Sequence, residues 1–75
     1  MEFDRLKKIL AQELDVDESI ISADSMLVED LGASSLDIID IVMSVEDEFS
    51  IEVPDRIIKK METVKDILTF IENNI

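Results

Sequence analysis

Apolar residues in this chain recur every three or four positions and never settle into strand-like alternation, which confines it to helices. Between residues 3 and 14, Phe3, Leu6, Ile9, Leu10 and Leu14 make one stripe, with Lys7, Lys8 and Gln12 off it. A second helix is predicted over 35–49. There Ile38, Ile41, Val42, Val45 and Phe49 share a face at about 100° per residue. The run SIEVPD breaks it, with Pro54 as the punctuation. Residues 55–61 predict a short third helix around Ile57, Ile58 and Met61. Thr63 opens the last helix, whose stripe is Val64, Ile67, Leu68 and Ile71, and Thr63 and Asp66 have the spacing of a capping box. Residues 15–33 are left as a long polar connection. Its apolar residues Val16, Ile20, Ile21, Met26, Leu27, Val28 and Leu31 should pack down over the core. The expected fold is all-α: a small four-helix bundle with a long first loop and a short third helix.

Seventy-five residues make one small domain with little core to spare. An apolar content of 47% is too high for a disordered acidic tail. No run is long and apolar enough to suggest a signal peptide or a membrane span. The chain has no cysteine, which removes disulfides, thiolate nucleophiles and cysteine metal sites and fits a cytoplasmic protein. It has no histidine, so the usual general base near neutral pH is missing. Neither a hydrolytic triad nor a zinc site is expected from this chain alone.

Nineteen acidic residues against seven basic ones give a net charge of −12. That disfavours nucleic acid and anionic membrane surfaces, both of which need a basic face. It should steer the domain toward basic patches on partners. From composition alone, the acid could equally serve only solubility. The acidic run DVDES at 15–19 lacks the central glycine and distal glutamate of an EF-hand loop, so no metal site is assigned to it. Loose divalent binding to the carboxylates would stabilise the fold by relieving self-repulsion.

Two adjacent serines follow the chain's single glycine in VEDLGASSLD, residues 28–37. Ser34 and Asp37 stand three apart, as in a capping box, so Ser34 reads as the N-cap of the second helix and Gly32–Ala33 as the turn entering it. Ser35 then takes the first helical position with its hydroxyl outward. A phosphate ester there would meet the helix N-terminus, which favours negative charge. On these residues alone, both serines could simply be capping residues.

The second helix also carries Leu36, Ile39 and Met43 opposite its core stripe, interleaved with Asp40, Glu46 and Asp47. Apolar residues at i, i+3 and i+7 among carboxylates suggest an interaction face, since a buried edge would disfavour the charges. The alternative is that these residues cover the edge of the long loop or the third helix.

At this point the sequence resembles the acyl carrier proteins, in particular the discrete ones of fatty acid synthesis. VEDLGASSLD is similar to that family's segment around its modified serine, DIVMSVEDEFSIEVPD to its following helix and turn, and TVKDILTFI to its last helix. The resemblance covers nearly the whole chain and implies a single acyl carrier domain over residues 1–75. It implies that Ser35, the serine before Leu36, bears 4′-phosphopantetheine, taken from coenzyme A by a phosphopantetheinyl transferase (holo-acyl-carrier-protein synthase) with magnesium. The thiol of that arm would carry acyl chains as thioesters, which accounts for a chain with no sulfur nucleophile of its own, and the acyl chains would fold into the apolar interior. The protein would be a carrier and not an enzyme. Its partner face would be Leu36, Asp37, Ile39, Asp40, Met43, Glu46 and Asp47. Its partners would be fatty acid synthesis enzymes with basic docking patches. A monomer is the default for so acidic a small domain, and the lack of cysteine fits the cytoplasm.

The sequence departs from the family in two places. The family usually has aspartate where this chain has Ser34, which preserves the cap but removes a carboxylate that a transferase could contact. Its third helix is usually acidic, whereas DRIIKKM carries Arg56, Lys59 and Lys60. Two alternatives stay open: a carrier for a specialised pathway, polyketide-like or of secondary lipids, and an acidic helical adaptor that is never modified.

Overall fold

A computed structural model describes residues 2–75. Four helices follow in order: α1 over Glu2–Leu14, α2 over Ser35–Phe49, α3 over Asp55–Ile58 and α4 over Val64–Asn74. A single 3₁₀ turn at Glu18–Ile20 interrupts the long connection between α1 and α2. Helix α1 packs on both α2 and α4, and α3 leans on α2.

The helical stripes become the core. Leu6 and Leu10 of α1, Ile41, Val42 and Val45 of α2, and Val64, Ile67 and Ile71 of α4 are all at most 2% exposed. Fully burying side chains of this size stabilises by about 1.5–3 kcal/mol each. Phe49 closes the far end of α2 on the same core, while Ile38, Phe3, Ile9, Leu14 and Leu68 are half-buried at its edge. Arg5 of α1 clamps the end of α2. Its Nε donates to Glu48 Oε2 at 2.9 Å, its Nη2 donates to the Glu48 carbonyl at 2.9 Å, and its guanidinium sits 4.4 Å from the Phe49 ring centre.

The long connection is tied down chiefly through its backbone. Met26 and Thr63 form an antiparallel bridge. Leu27 N–H donates to the Glu62 carbonyl at 2.9 Å, Val64 N–H to Ser25 at 3.0 Å and Lys65 N–H to Ala23 at 2.8 Å. These bonds press Ile21, Leu27, Leu31 and Ala33 into the core. Two expected anchors do not join them. Ile20 and Val28 are 56% and 53% exposed, because the 3₁₀ turn and the turn at 28–32 direct them outward. Asp17 of the DVDES run caps the 3₁₀ turn. Its carboxylate accepts the Ser19 N–H at 2.9 Å, which holds it below the usual carboxylate range.

Helix α3 is shorter than the pattern predicts, ending at Ile58 instead of reaching Met61. The backbone tightens into turns at Lys60 and Met61, which frees the Glu62 carbonyl for the long connection and drops Met61 into the core. Helix α4 begins as expected. Asp66 N–H donates to Thr63 Oγ1 at 3.2 Å, and Asp66 Oδ2 accepts from Thr63 N–H at 3.0 Å.

Candidate functional site

The segment before α2 is a hydrogen-bonded turn that delivers two serines to the start of a helix. Leu31 N–H donates to the Met26 carbonyl at 3.1 Å, Gly32 N–H to Val28 at 3.0 Å and Ala33 N–H to Leu27 at 2.9 Å. Asp30 reaches back to accept the Met26 N–H at 2.7 Å. Gly32 has φ +73°, a left-handed conformation that side chains other than glycine adopt at a cost. The chain then runs extended through Ser34, at φ −88° and ψ 173°, and enters the helix at Ser35.

The two serines separate as their spacing predicts. Ser34 Oγ accepts the Asp37 N–H at 3.2 Å, and Asp37 Oδ2 accepts the Ser34 N–H at 2.9 Å. Both halves of the capping box are therefore formed. Ser35 is exposed, and among the described residues its hydroxyl has no hydrogen-bond partner. It lies in the first turn of α2, where unpaired backbone N–H groups favour an anion.

The Ser35 hydroxyl is therefore not consumed as a cap, and it stands clear of the core. No histidine stands by to activate it, and Asp37, two residues on, has one carboxylate oxygen held by the Ser34 N–H.

Beyond the serines, α2 shows its second face to solvent. Leu36, Ile39 and Met43 are 74%, 46% and 57% exposed, and Asp40 and Asp47 are exposed beside them. At about 100° per residue, Asp40, Met43 and Asp47 all fall within roughly 40° of Leu36. Two other carboxylates expected on this face have internal work. Glu46 is half-buried and accepts the Val53 N–H at 2.8 Å, which fastens the chain after α2. Asp37 belongs to the capping box. Of the two expected anchors that the structure exposes, Val28 is the one close in sequence to the serines. It sits one hydrogen-bonded turn before the serines. Its only sequence signal was its place in VEDLG. Among the described residues, no three acidic side chains gather to hold a metal ion.

Comparison with known proteins decides the family. The model of the phosphopantetheine attachment site matches residues 4–71. An acyl carrier protein of Campylobacter lari is 41% identical over 71 residues, covering 95% of this chain and 92% of its own. One from Helicobacter hepaticus is 42% identical over 72 residues, covering 96% and 95%. The chain belongs to the acyl carrier protein family. Its members are carriers and not enzymes, and the group they bear is 4′-phosphopantetheine. The fold agrees with the family. A solved Mycobacterium tuberculosis structure described as an acyl carrier protein superposes with a TM-score of 0.93 at 29% identity, covering 97% of each chain. The all-helical bundle expected for an acyl carrier protein is thus the one observed.

Proposed function

We propose that this protein is a single-domain monomeric carrier. It would hold acyl chains as thioesters on 4′-phosphopantetheine esterified to Ser35 and present them to the enzymes of fatty acid synthesis in the cytoplasm. The observation that carries this reading is the free, exposed hydroxyl of Ser35 at the N-terminus of α2, beside a Ser34 already spent as the cap. In loading, Ser35 Oγ would bond to the phosphorus of coenzyme A that carries the pantetheine, displacing the nucleotide as the pyrophosphate P–O bond breaks, and the serine proton would pass to a base on the transferase. When bound, the group supplies the thiol that this cysteine-free chain lacks.

The chain's own residues do the rest. The first turn of α2 offers its partial positive charge to the phosphodiester. Asp40 and Asp47 would meet arginines and lysines on the transferase and on successive enzymes, while Leu36, Ile39 and Met43 make short apolar contacts beside the arm. Asp37 contributes the carboxylate oxygen that the cap leaves free, and Glu46 contributes mainly by holding the chain after α2. Such contacts favour fast, weak encounters, because steering by charge acts chiefly on the association rate. Bound acyl chains would lie against the apolar side chains between the helices.

Intact mass spectrometry tests the reading. The protein is incubated with coenzyme A, magnesium and a broad-specificity phosphopantetheinyl transferase. Wild type and Ser34→Ala should each gain one phosphopantetheine, and Ser35→Ala should gain none while folding normally. No gain in any folded sample would favour the unmodified adaptor instead.

A further inference from the structure

The cations of this acidic chain are not spread evenly. Arg56, Lys59, Lys60 and Lys65 are four of its seven, and only Asp55 and Glu62 of its 19 carboxylates lie between residues 55 and 65. All four cations are exposed. The one ion pair among the described residues, Arg5 with Glu48, involves none of them. Two of them, Lys60 and Lys65, line an open groove of about 330 Å³ between α3 and α4. Its apolar part is Ile57, Met61 and Phe70, and its basic rim is Lys60 and Lys65. No residue of α2 lines it.

One carboxylate does line this groove, and it is occupied. Asp66 Oδ2 accepts N–H groups from Glu62 at 2.8 Å and from Thr63 at 3.0 Å, so its charge is spent on the start of α4. The rim lysines form no ion pair among the described residues, though Lys65 lies near enough to Asp66 to help hold that carboxyl low. An apolar cleft rimmed by unpaired cations has the chemistry to take a negatively charged surface that presents apolar anchors. The volume is at the small end of the roughly 300–1,000 Å³ range of ligand pockets, which suits anchor side chains better than a whole cofactor. An anionic bilayer fits less well, since a flat, extended anionic surface meets many more of the chain's other carboxylates than a single helix confined to the groove.

We propose that the α3–α4 groove is a second docking surface, opposite in sign to the α2 face, which takes an acidic amphipathic helix of a partner protein. Apolar residues of that helix would seat on Ile57, Met61 and Phe70, and its carboxylates would meet Lys60 and Lys65. The inference does not depend on Ser35 being loaded. It gives the carrier two poles, so an acidic partner and a basic one could hold it without competing for one face.

The test uses the full chain and a fluorescent helical peptide of glutamate and leucine, with leucine at i, i+3, i+4 and i+7. Anisotropy is read at low salt, beside a counterpart peptide with lysine for glutamate. The acidic peptide should bind and shift backbone amide resonances within residues 56–73. Lys60→Glu with Lys65→Glu should weaken it by about tenfold or more, while loading at Ser35 continues at the wild-type rate. Lys60→Gln with Lys65→Gln reads the same effect if the reversal impairs folding. Absence of binding, equal binding by the variants, or shifts confined to α2 would overturn the proposal. So would phosphatidylglycerol vesicles outcompeting the peptide, which would mark the patch as a membrane contact. Failure of wild type to load would count against the carrier reading alone.

Discussion

Replacing Ser34 with alanine separates a structural role from a chemical one. The capping box has two bonds, and the substitution removes only one. Asp37 N–H loses its acceptor at 3.2 Å, while the Ser34 backbone N–H still reaches Asp37 Oδ2 at 2.9 Å. Loss of a serine N-cap costs about 1 kcal/mol. Unfolding entropy near 2.1 cal/mol/K per residue, over 75 residues, converts this to a fall in Tm of about 6 °C. Ser34→Asp restores an acceptor of equal quality and should melt within about 3 °C of wild type. Thermal melts followed by circular dichroism, checked by urea titration, read both values. Both variants should still accept one phosphopantetheine at Ser35. An unchanged Tm for Ser34→Ala would refute the energetic role given to the cap. A folded Ser34→Ala that never loads would show that the transferase touches Ser34 directly.

The Asp66 carboxylate is held below its usual range by N–H groups of Glu62 and Thr63. Its stabilising contribution is complete above the unfolded value near 4 and is lost as pH falls through the lower folded value. The Tm difference between wild type and Asp66→Asn should therefore shrink below about pH 4; a difference constant from pH 7 to 3 would argue against this. Gly32→Ala should cost about 1–2 kcal/mol from the left-handed backbone alone, since no atom lies where the new methyl would go. A urea midpoint equal to wild type would mean that the turn relaxes. Asp40→Lys with Asp47→Lys should keep the fold and slow transferase loading most at low salt. Rates that match wild type at low salt would remove the acidic face from recognition.

Where neighbours in the chain decide the geometry, the sequence was readable. The start of α2 followed from Ser34 and Asp37, that of α4 from Thr63 and Asp66, and both helices run as their apolar stripes predict. Where distant segments decide it, the pattern misled. Met61 keeps helical spacing with Ile57 and Ile58, yet α3 stops at Ile58, the backbone tightens into turns through Met61, and the Glu62 carbonyl goes to Leu27 N–H of the long connection. Val28 and Ile20 are as apolar as Leu27 and Ile21, and periodicity cannot say which of them a loop turns outward. Glu46 and Asp47 look alike in sequence, and only the returning chain, with its Val53 N–H, distinguishes them. The serines themselves were legible because helix capping is local chemistry.

The polar ties that hold α2 to other parts of the molecule all fall in its second half. Ser44 Oγ donates to Glu13 at 2.9 Å, Glu46 accepts from Val53, and Glu48 takes the Arg5 clamp. The first half has its own cap and its apolar face, but no such cross-tie among the described residues. The helix is therefore moored at one end, and Ser35 rides at the other. A partner that grips Leu36 and Asp40 can tilt or loosen that free end at the cost of its cap and the edge packing of Ile38, without breaking a polar tie to the rest of the bundle. The cost would not spread to the clamp at Arg5, so the bundle could yield at the point of delivery and stay whole elsewhere.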